Sequence, residues 1–561
     1  MPKLTRRQFL QLSTAGAVGA TLPNLGRLNH NKDQERPNII VILADDTGFS
    51  DAGCYGGEIQ TPNLDRMAAG GLRFSDFHNT ARCCPTRASL LTGQYQHKVG
   101  MPRMANNGSS LNRNGVTIAE ALKEAGYKTS MYGKWHLSGY QPLDDKQKQL
   151  AWLNHQYDPG RPFSPRVTYP AKRGFDDFYG VIWGVVDHYD PFSLVDGMEP
   201  VDEVPDDYHI TDAITNRSVQ KIDDYSQQED PFFMYVSYTA PHWPLHARKD
   251  DIAKYKHTFK EGWNVMRSQR FKRLVELGFY DKASVNLPNV QDGGNPWEKL
   301  SAQEKEFEAN KMATHAAMVD QMDRGIGKIM NTLEENDQLD NTLILFLSDN
   351  GASPELPKNW GPGLDRPSET RDGRKIRYSG VKQPGPETTY VGLGPGWASA
   401  SNTPFRYWKA ESYEGGAHTP CIAHWPAGLK TKPGAITNQR GHVMDILPTC
   451  LDLAGAEYPD KYKGHDISSA DGHSLAPIFE GRQREGYDQL FFEHEGGKAL
   501  IDGKWKIVAL RKKNAPWRLY NLEDDPTETV DISDTNAQKL KSMTQDWADW
   551  AKDMGLEGPE A

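Results

Sequence analysis

Chemistry is most concentrated at Cys83-Cys84-Pro85-Thr86-Arg87, which continues as Ala88-Ser89-Leu90-Leu91-Thr92-Gly93. The apolar Ala88, Leu90 and Leu91 suit a buried helix. Pro85 is tolerated in a first helical turn, where its missing N–H has no intrahelical partner. This spacing puts Cys83 just ahead of a helix N-terminus, where free backbone N–H groups and the positive end of the dipole favour an oxyanion. Arg87, about one turn on, adds a rigid fork of donors suited to sulfate or phosphate. Elsewhere Asp45-Asp46 and Asp349-Asn350 offer hard oxygen ligands, which favour calcium or magnesium over zinc. Lys134, His136, His242 and Lys409 are further candidates for holding charge or moving protons. Taken singly, each has an ordinary reading: Asp349-Asn350-Gly351 as a turn, His136 as a packing histidine, Lys409 as a surface lysine. It is the set that points to a site.

These residues fall at the ends of strand-like runs. Pro37–Ala44 is a continuous, largely β-branched stretch, as expected for a central strand buried on both faces, and it runs into Asp45-Asp46. Tyr127–Gly133 runs into Lys134-Trp135-His136, where residues i and i+2 would share a face if the strand continued. Pro231–Tyr238 leads to Pro241-His242, and Thr342–Leu347 to Ser348-Asp349-Asn350. Helix signals lie between the strands, at Thr61–Gly71, at Val116–Gly126, and in a long stretch bearing Met318, Met322, Ile326, Ile329, Met330 and Leu333 at helical spacing. That last stripe reads as core. The alternation predicts an α/β fold with a large, doubly wound, mainly parallel sheet flanked by helices, carrying its site at the carboxyl edge.

Cys83, Pro85, Arg87, Thr92 and Gly93 fall in the register of the type I sulfatase signature, and the chain resembles that family, within the alkaline phosphatase superfamily. Asn38–Gly48, Gly133–His136, Pro241-His242, Leu347–Gly351, Lys409 ahead of Glu414-Gly415-Gly416, and Trp517–Glu528 recur in family order. His418 departs from the arginine that many members carry there, which bears on substrate class. His97 after Tyr95-Gln96 fits a family pattern and reads as structural. The resemblance implies that a maturation enzyme oxidises Cys83 to formylglycine (3-oxoalanine). It also implies that Asp45, Asp46, Asp349, Asn350 and an oxygen of the modified residue 83 hold one calcium ion, magnesium suiting the site less well. By the same resemblance, the aldehyde hydrate attacks the sulfur of an aryl or carbohydrate sulfate ester and forms a covalent sulfo-enzyme intermediate. Asp349 accepts a proton, His242 or Lys409 protonates the leaving group, His136 is the base that eliminates sulfate, and Arg87 and Lys134 hold diol and sulfate oxygens. A phosphodiesterase or phosphonate monoester hydrolase of the same superfamily shares the signature and is the alternative enzyme. An inactive binder of sulfated glycans is the alternative from another class.

The 561 residues carry a net charge of −10, which argues against nucleic acid as a partner. Thr5-Arg6-Arg7-Gln8-Phe9-Leu10 followed by a short, mildly apolar run to Leu22 reads as a twin-arginine export signal, with residues 1–35 as signal and linker. The run is too short for stable membrane insertion. It implies the export machinery as a partner and a periplasmic or secreted location. Residues 36–480 read as the catalytic α/β domain. Residues 481–561, with short alternating segments from Leu490 to Asn521 and a helix over Asn536–Lys552, read as a subdomain with a small antiparallel sheet plus helix. Tyr140 to Arg173 and Arg248–Glu298 read as polar insertions with weak periodicity. Ser353–Ser401 is a long Gly/Pro-rich loop of the kind that shapes a substrate pocket. Trp183–Phe192, with Asp187 and His188, suits either pocket lining or core. Five scattered cysteines do not make a disulfide framework.

Overall fold

The computed structural model describes residues 36–105, 109–140, 147–148, 163–281 and 285–556. The export-signal reading and most of the Tyr140–Arg173 insertion fall outside them. At the centre is a ten-stranded mixed sheet in the order Ala435–Thr437, Leu72–Phe74, Cys421–His424, Thr342–Ser348, Asn38–Ala44, Phe232–Ser237, Lys128–Gly133, Asp177–Val181, Leu194–Asp196, Glu199–Pro200. The five strands from Thr342–Ser348 to Asp177–Val181 are all parallel. Their runs of Ile, Val, Leu and Phe are buried on both faces, as a parallel sheet covered by helices requires.

Register is what matters for function. Ala44 pairs with Ser348, Leu43 with Ser237, and Gly133 with Ser237. Four central strands therefore end level with one another, and the residues that follow, Asp45, Lys134 and Asp349, leave the sheet side by side with Ser237.

The 34-residue helix Ala302–Glu335 lies against Ile210–Ser226 on one face of the sheet. It opens with a capping box, in which Ser301 Oγ accepts from the Glu304 N–H and the Glu304 carboxylate accepts from the Ser301 N–H at 2.8 Å. Its methionine stripe is wholly buried. Thr117 caps Ile118–Glu124 through a second capping box, with Glu120.

The weakly periodic segment 248–298 contains the helices Lys249–Lys254 and Trp263–Glu276. The periodicity of the second helix is hidden because two of its inward-facing residues, Arg267 and Arg270, are charged. Arg267 donates to the carbonyls of Pro288 (3.1 Å), Pro404 (2.8 Å), Phe405 (2.8 Å) and Ser399. Burial alone still lowers its pKa to about 9. Arg270 meets Asp51 at 2.7 Å and Glu58 at 2.6 Å. Both arginines thus act as core residues, with the partners that a buried cation needs. The Lys128–Gly133 strand stops at Gly133, where its sequence run ends, and does not continue through His136, whose φ is 55°.

Gln489–His494, Gly497–Asp502, Trp505–Ala509 and Arg518–Asn521 form a four-stranded antiparallel sheet, and the helix Ala537–Asp553 packs on it. Its own apolar cluster, including Leu500, Ile507, Leu519 and Trp547, takes in Ala81, Tyr95 and Tyr413 from the loops of the large sheet. Among the described residues no helix is long and apolar enough to cross a membrane.

Candidate active site

The helix Cys83–Thr92 begins at Cys83 itself, one position earlier than the spacing suggests, with extended Arg82 as its N-cap. Pro85 still lies in the first turn, so its missing N–H costs no bond. Gly93, at φ 67°, ends the helix in the left-handed region that favours glycine. Cys83 is buried, and its sulfur lies 3.7 Å from Met104 Sδ. A hydrogen bond from the Cys84 thiol, reinforced by the charges of Lys134 and Lys409, holds the Cys83 thiol well below the ordinary thiol range. All five cysteines are free and buried.

Beside Cys83 the carboxyl edge of the sheet gathers the acidic residues. Arg87 Nε and Nη2 donate to Asp349 Oδ2 at 3.1 and 2.7 Å, and Arg87 Nη1 donates to the Lys134 carbonyl at 3.0 Å and to Ser237 Oγ. Lys134 Nζ donates to Asp45 Oδ2 at 2.6 Å. Asp46, at φ 70°, turns sharply, and its Oδ1 accepts from Asn350 Nδ2 at 2.6 Å and from Lys409 Nζ at 2.7 Å. Burial, then the nearby charge of Asp349, pushes the Asp45 carboxyl well above the usual range, and burial raises Asp46 as well.

Three oxygens of this cluster, Asp45 Oδ1, Asp46 Oδ2 and Asn350 Oδ1, are fully buried and accept no hydrogen bond. Each unsatisfied buried acceptor costs about 1–3 kcal/mol. Crowded, dry, acceptor-only oxygens fit a hard divalent cation, and Asp45, Asp46, Asp349 and Asn350 are the residues that could hold one. Ligand atoms of Asp45, Asp46 and His242 also lie within 4.8 Å of one another.

The ligand atoms of Cys83, Cys84 and His136 likewise lie within 4.8 Å of one another. Neither ring nitrogen of His136 has a hydrogen-bond partner, and burial lowers its pKa to about 3. Its ring packs edge-on to Trp183 at 5.2 Å. A side chain at Gly184 would fall 2.0 Å from the His136 ring, so glycine there makes room for it. His242 follows Pro241. Its Nδ1 sits 2.5 Å from the Trp243 carbonyl, which leaves Nε2 facing Asp46 Oδ2 at 3.5 Å. Burial holds His242 well below the ordinary imidazole range. Burial also opposes the charge of Lys409, but Asp46 and Glu355 outweigh it and keep the ammonium above the usual lysine range.

All ten candidate residues are therefore buried together at the carboxyl edge of the sheet. Three neighbours were not anticipated. Ser237 stands at the end of a buried strand, the same signal that marked Asp45, and could have been found by it. Glu355 accepts from Arg82 at 3.0 Å and from Trp243 Nε1 at 2.6 Å, and lies 3.8 Å from Lys409 Nζ. Neither Glu355, in an irregular loop, nor Arg82 carried a periodic signal. His97 instead pairs with Glu493 at 2.9 Å, tying the signature helix to the C-terminal sheet. His418 lies in a different cluster: it stacks on Phe405 at 4.3 Å and bonds Glu414 at 2.7 Å. Asp187 and His188 are buried beside His246.

A sulfatase-family match and arylsulfatase relatives place the chain among the hydrolases of the alkaline phosphatase superfamily. Residues 37–456 match the sulfatase family, and residues 406–549 match the C-terminal region of N-sulphoglucosamine sulphohydrolase. The arylsulfatase of Klebsiella aerogenes is 32% identical over 81% of this chain and 94% of its own, and an uncharacterized sulfatase of Schizosaccharomyces pombe is 31% identical over 94% and 96%. A crystal structure of Ps i-CgsB in complex with k-i-k-neocarrahexaose is similar with a TM-score of 0.62 at 25% identity, covering 92% of this chain and 93% of that one. The chain belongs to the sulfatase family and is a sulfuric ester hydrolase.

Proposed function

We propose that the protein is a metal-dependent sulfatase whose nucleophile derives from oxidised Cys83. What carries the reading is that Cys83, at a helix N-terminus, lies beside the unpaired His136 ring, and that Arg87 and Lys134, whose charges reach Cys83, also bind Asp349 and Asp45 in the cluster that bears the orphaned oxygens. Oxidation of Cys83 to formylglycine would supply an aldehyde whose hydrate provides the attacking hydroxyl and whose re-formation expels sulfate. A calcium ion held by Asp45, Asp46, Asp349, Asn350 and residue 83 would supply positive charge for that hydroxyl and for the sulfate oxygens.

The chain's own residues do the rest. Arg87, locked by Asp349, Ser237 and the Lys134 carbonyl, presents a fixed positive charge beside residue 83. Lys134 anchors Asp45 and contributes a second. Asp349 accepts the proton of the attacking hydroxyl. His136 is neutral at working pH and within reach of residue 83, so it can take the second proton. His242 and Lys409 flank Asp46 on the Trp243 side, where the leaving oxygen departs. Burial keeps His242 neutral while Lys409 stays charged, so Lys409 donates the proton, and His242, its Nδ1–H directed at the Trp243 carbonyl, flanks the leaving oxygen with an unprotonated Nε2.

The substrate class is an aryl or carbohydrate sulfate. A formylglycine-generating enzyme matures Cys83, and twin-arginine export carries the folded protein to the periplasm or outside the cell. Residues 36–480 serve as catalytic domain and 481–561 as a supporting subdomain. The test is sulfate release from 4-nitrophenyl sulfate by chain co-expressed with a maturation enzyme, with mass spectrometry of the Arg82–Arg87 segment. Activity with the aldehyde or its hydrate at Cys83 supports the reading, and full activity with an intact thiol overturns it.

A further inference from the structure

A run of contacts links the two imidazoles of the site. From His136 it passes to Trp183, whose indole N–H donates to Asp365 Oδ2 at 3.4 Å. Asp365 pairs with Arg366 at 2.6 Å, and the Arg366 guanidinium lies over the Trp360 ring, 5.6 Å from its centroid. Trp360 lies 6.0 Å from the Trp243 ring, which is 5.2 Å from that of His242. The circuit thus begins at one imidazole of the site and ends at the other. Within it, Trp183 and Trp243 are buried, whereas Trp360 is 50% exposed. Arg366 steadies the indole by a cation–π contact, and half of the side chain stays open beside the pocket.

The charges of the rim are matched. Arg366 pairs with Asp365, and Arg82 with Glu355 at 3.0 Å. A site built for a polyanionic chain presents cations without acidic partners, because such a ligand must find counter-charge. Here each rim arginine already has its carboxylate, and the chain as a whole is acidic, at −10.

We propose that Trp360 is the platform for the ring that bears the sulfate ester, and that the rim admits an uncharged ring, aryl or sugar, in preference to a polyanionic one. Both rings offer a flat face that stacks on an indole. This rests on the sulfatase reading above, and the test separates the two.

In the matured full chain, Trp360→Ala should lower the ratio of kcat/KM on 4-nitrophenyl sulfate to that on methyl sulfate, or the ratio for methyl glucoside 6-sulfate to methyl sulfate, by about three- to tenfold, mainly through KM. Trp360→Phe should restore most of the loss. The ring with the larger loss is the one the platform serves, and unchanged ratios for both overturn the proposal. Methyl glucoside 2,6-disulfate should be a poorer substrate than the 6-sulfate by about tenfold, and equal or better turnover overturns the charge selection. Calorimetry with 2-naphthyl sulfate on the Cys83→Ala chain reads binding without turnover: adding Trp360→Ala should raise Kd about three- to tenfold. If the matured wild type cleaves no sulfate ester yet naphthyl sulfate still binds through Trp360, the platform stands and the sulfatase reading falls. If cleavage is intact and Kd does not move, the platform falls.

Discussion

Two buried polar clusters in this molecule are built from similar residues and reach opposite states. At the sheet edge, Asp45, Asp46, Asp349 and Asn350 meet Arg87, Lys134 and Lys409, yet three oxygens are left without a hydrogen bond. Where the C-terminal sheet docks, His78 and His418 meet Glu414 at 3.0 and 2.7 Å, and Lys506 reaches Glu414 at 2.6 Å and Glu528 at 2.7 Å. The two atoms of that cluster lacking a hydrogen bond, His78 Nδ1 and Glu528 Oε1, still face a charged group, Asp76 at 3.2 Å and Lys506 at 2.7 Å. The docking cluster is closed and joins two parts of the fold. The edge cluster has as many cations as carboxylates, but its orphaned Asp45 Oδ1 and Asp46 Oδ2 meet Arg87 and His242 only at 3.8 and 3.5 Å, without a hydrogen bond, and such spare acceptors suit a hard cation.

The sharpest way to break this contrast is at the edge. Cys83→Ala should lower kcat by about 10³ or more, as loss of a nucleophile does. Chelation of the wild type should abolish turnover, with calcium restoring it better than zinc. Full activity in chelated protein that elemental analysis finds metal-free would mean the orphaned oxygens are not a cation site.

Within the edge cluster the two histidines should fail differently, each by about 10²–10⁴ in its own step. His136→Ala should release one equivalent of phenol in a burst and then stall, with the quenched protein heavier by one sulfo group. His242→Ala should slow the burst itself. Gly184→Ala, whose methyl would strike the His136 ring, should resemble His136→Ala. A His136→Ala protein with neither burst nor added mass would reverse the assigned order of roles.

The docking cluster should answer in stability, not chemistry. Lys506→Met leaves Glu414 and Glu528 buried without their cation and should cost about 3–5 kcal/mol in urea unfolding. Bound metal, measured on the folded protein, should be unchanged. Glu528, raised mainly by burial to about 7, takes up a proton readily, so part of the loss should return in mild acid. Metal loss in Lys506→Met would show that the two clusters are one network.

The smallest effect concerns pH. Burial holds His442, beside the docking cluster, at about 3, below the unfolded value near 6.5. Below pH ~6.5 the unfolded chain binds a proton that the folded chain refuses. This contribution is therefore present above that pH and is lost on acidification at up to about 1.4 kcal/mol per unit. His442 Nδ1 accepts from the Met444 N–H, so His442→Asn keeps the capping acceptor. The variant should flatten the slope between pH 6.5 and 4, and an unaltered slope would remove His442 from the account.

Much of this was legible in the chain. The β-branched runs at Asn38–Ala44 and Thr342–Ser348 could only be central strands, because a parallel sheet buried on both faces selects such residues. Their polar ends, with Cys83 and Arg87 in register, named the site. What no local pattern carried was anything that depends on distant segments meeting. Nothing local marks Arg267 and Arg270 as core residues: the carbonyls near Ser399 and the carboxylates of Asp51 and Glu58 that surround them come from distant segments. Glu355 and Trp360, in a loop with no periodicity, acquire meaning only where that loop crosses Trp243. By itself the sequence determined the sheet, the signature and the chemistry of the ligands, since propensity and side-chain type act over a few residues. The tertiary structure alone decided which oxygens stay unpaired, which cations are core, and what ring stands at the mouth. Those are properties of packing between segments more than 300 residues apart, such as Asp46 and Asn350 with a separation of 304.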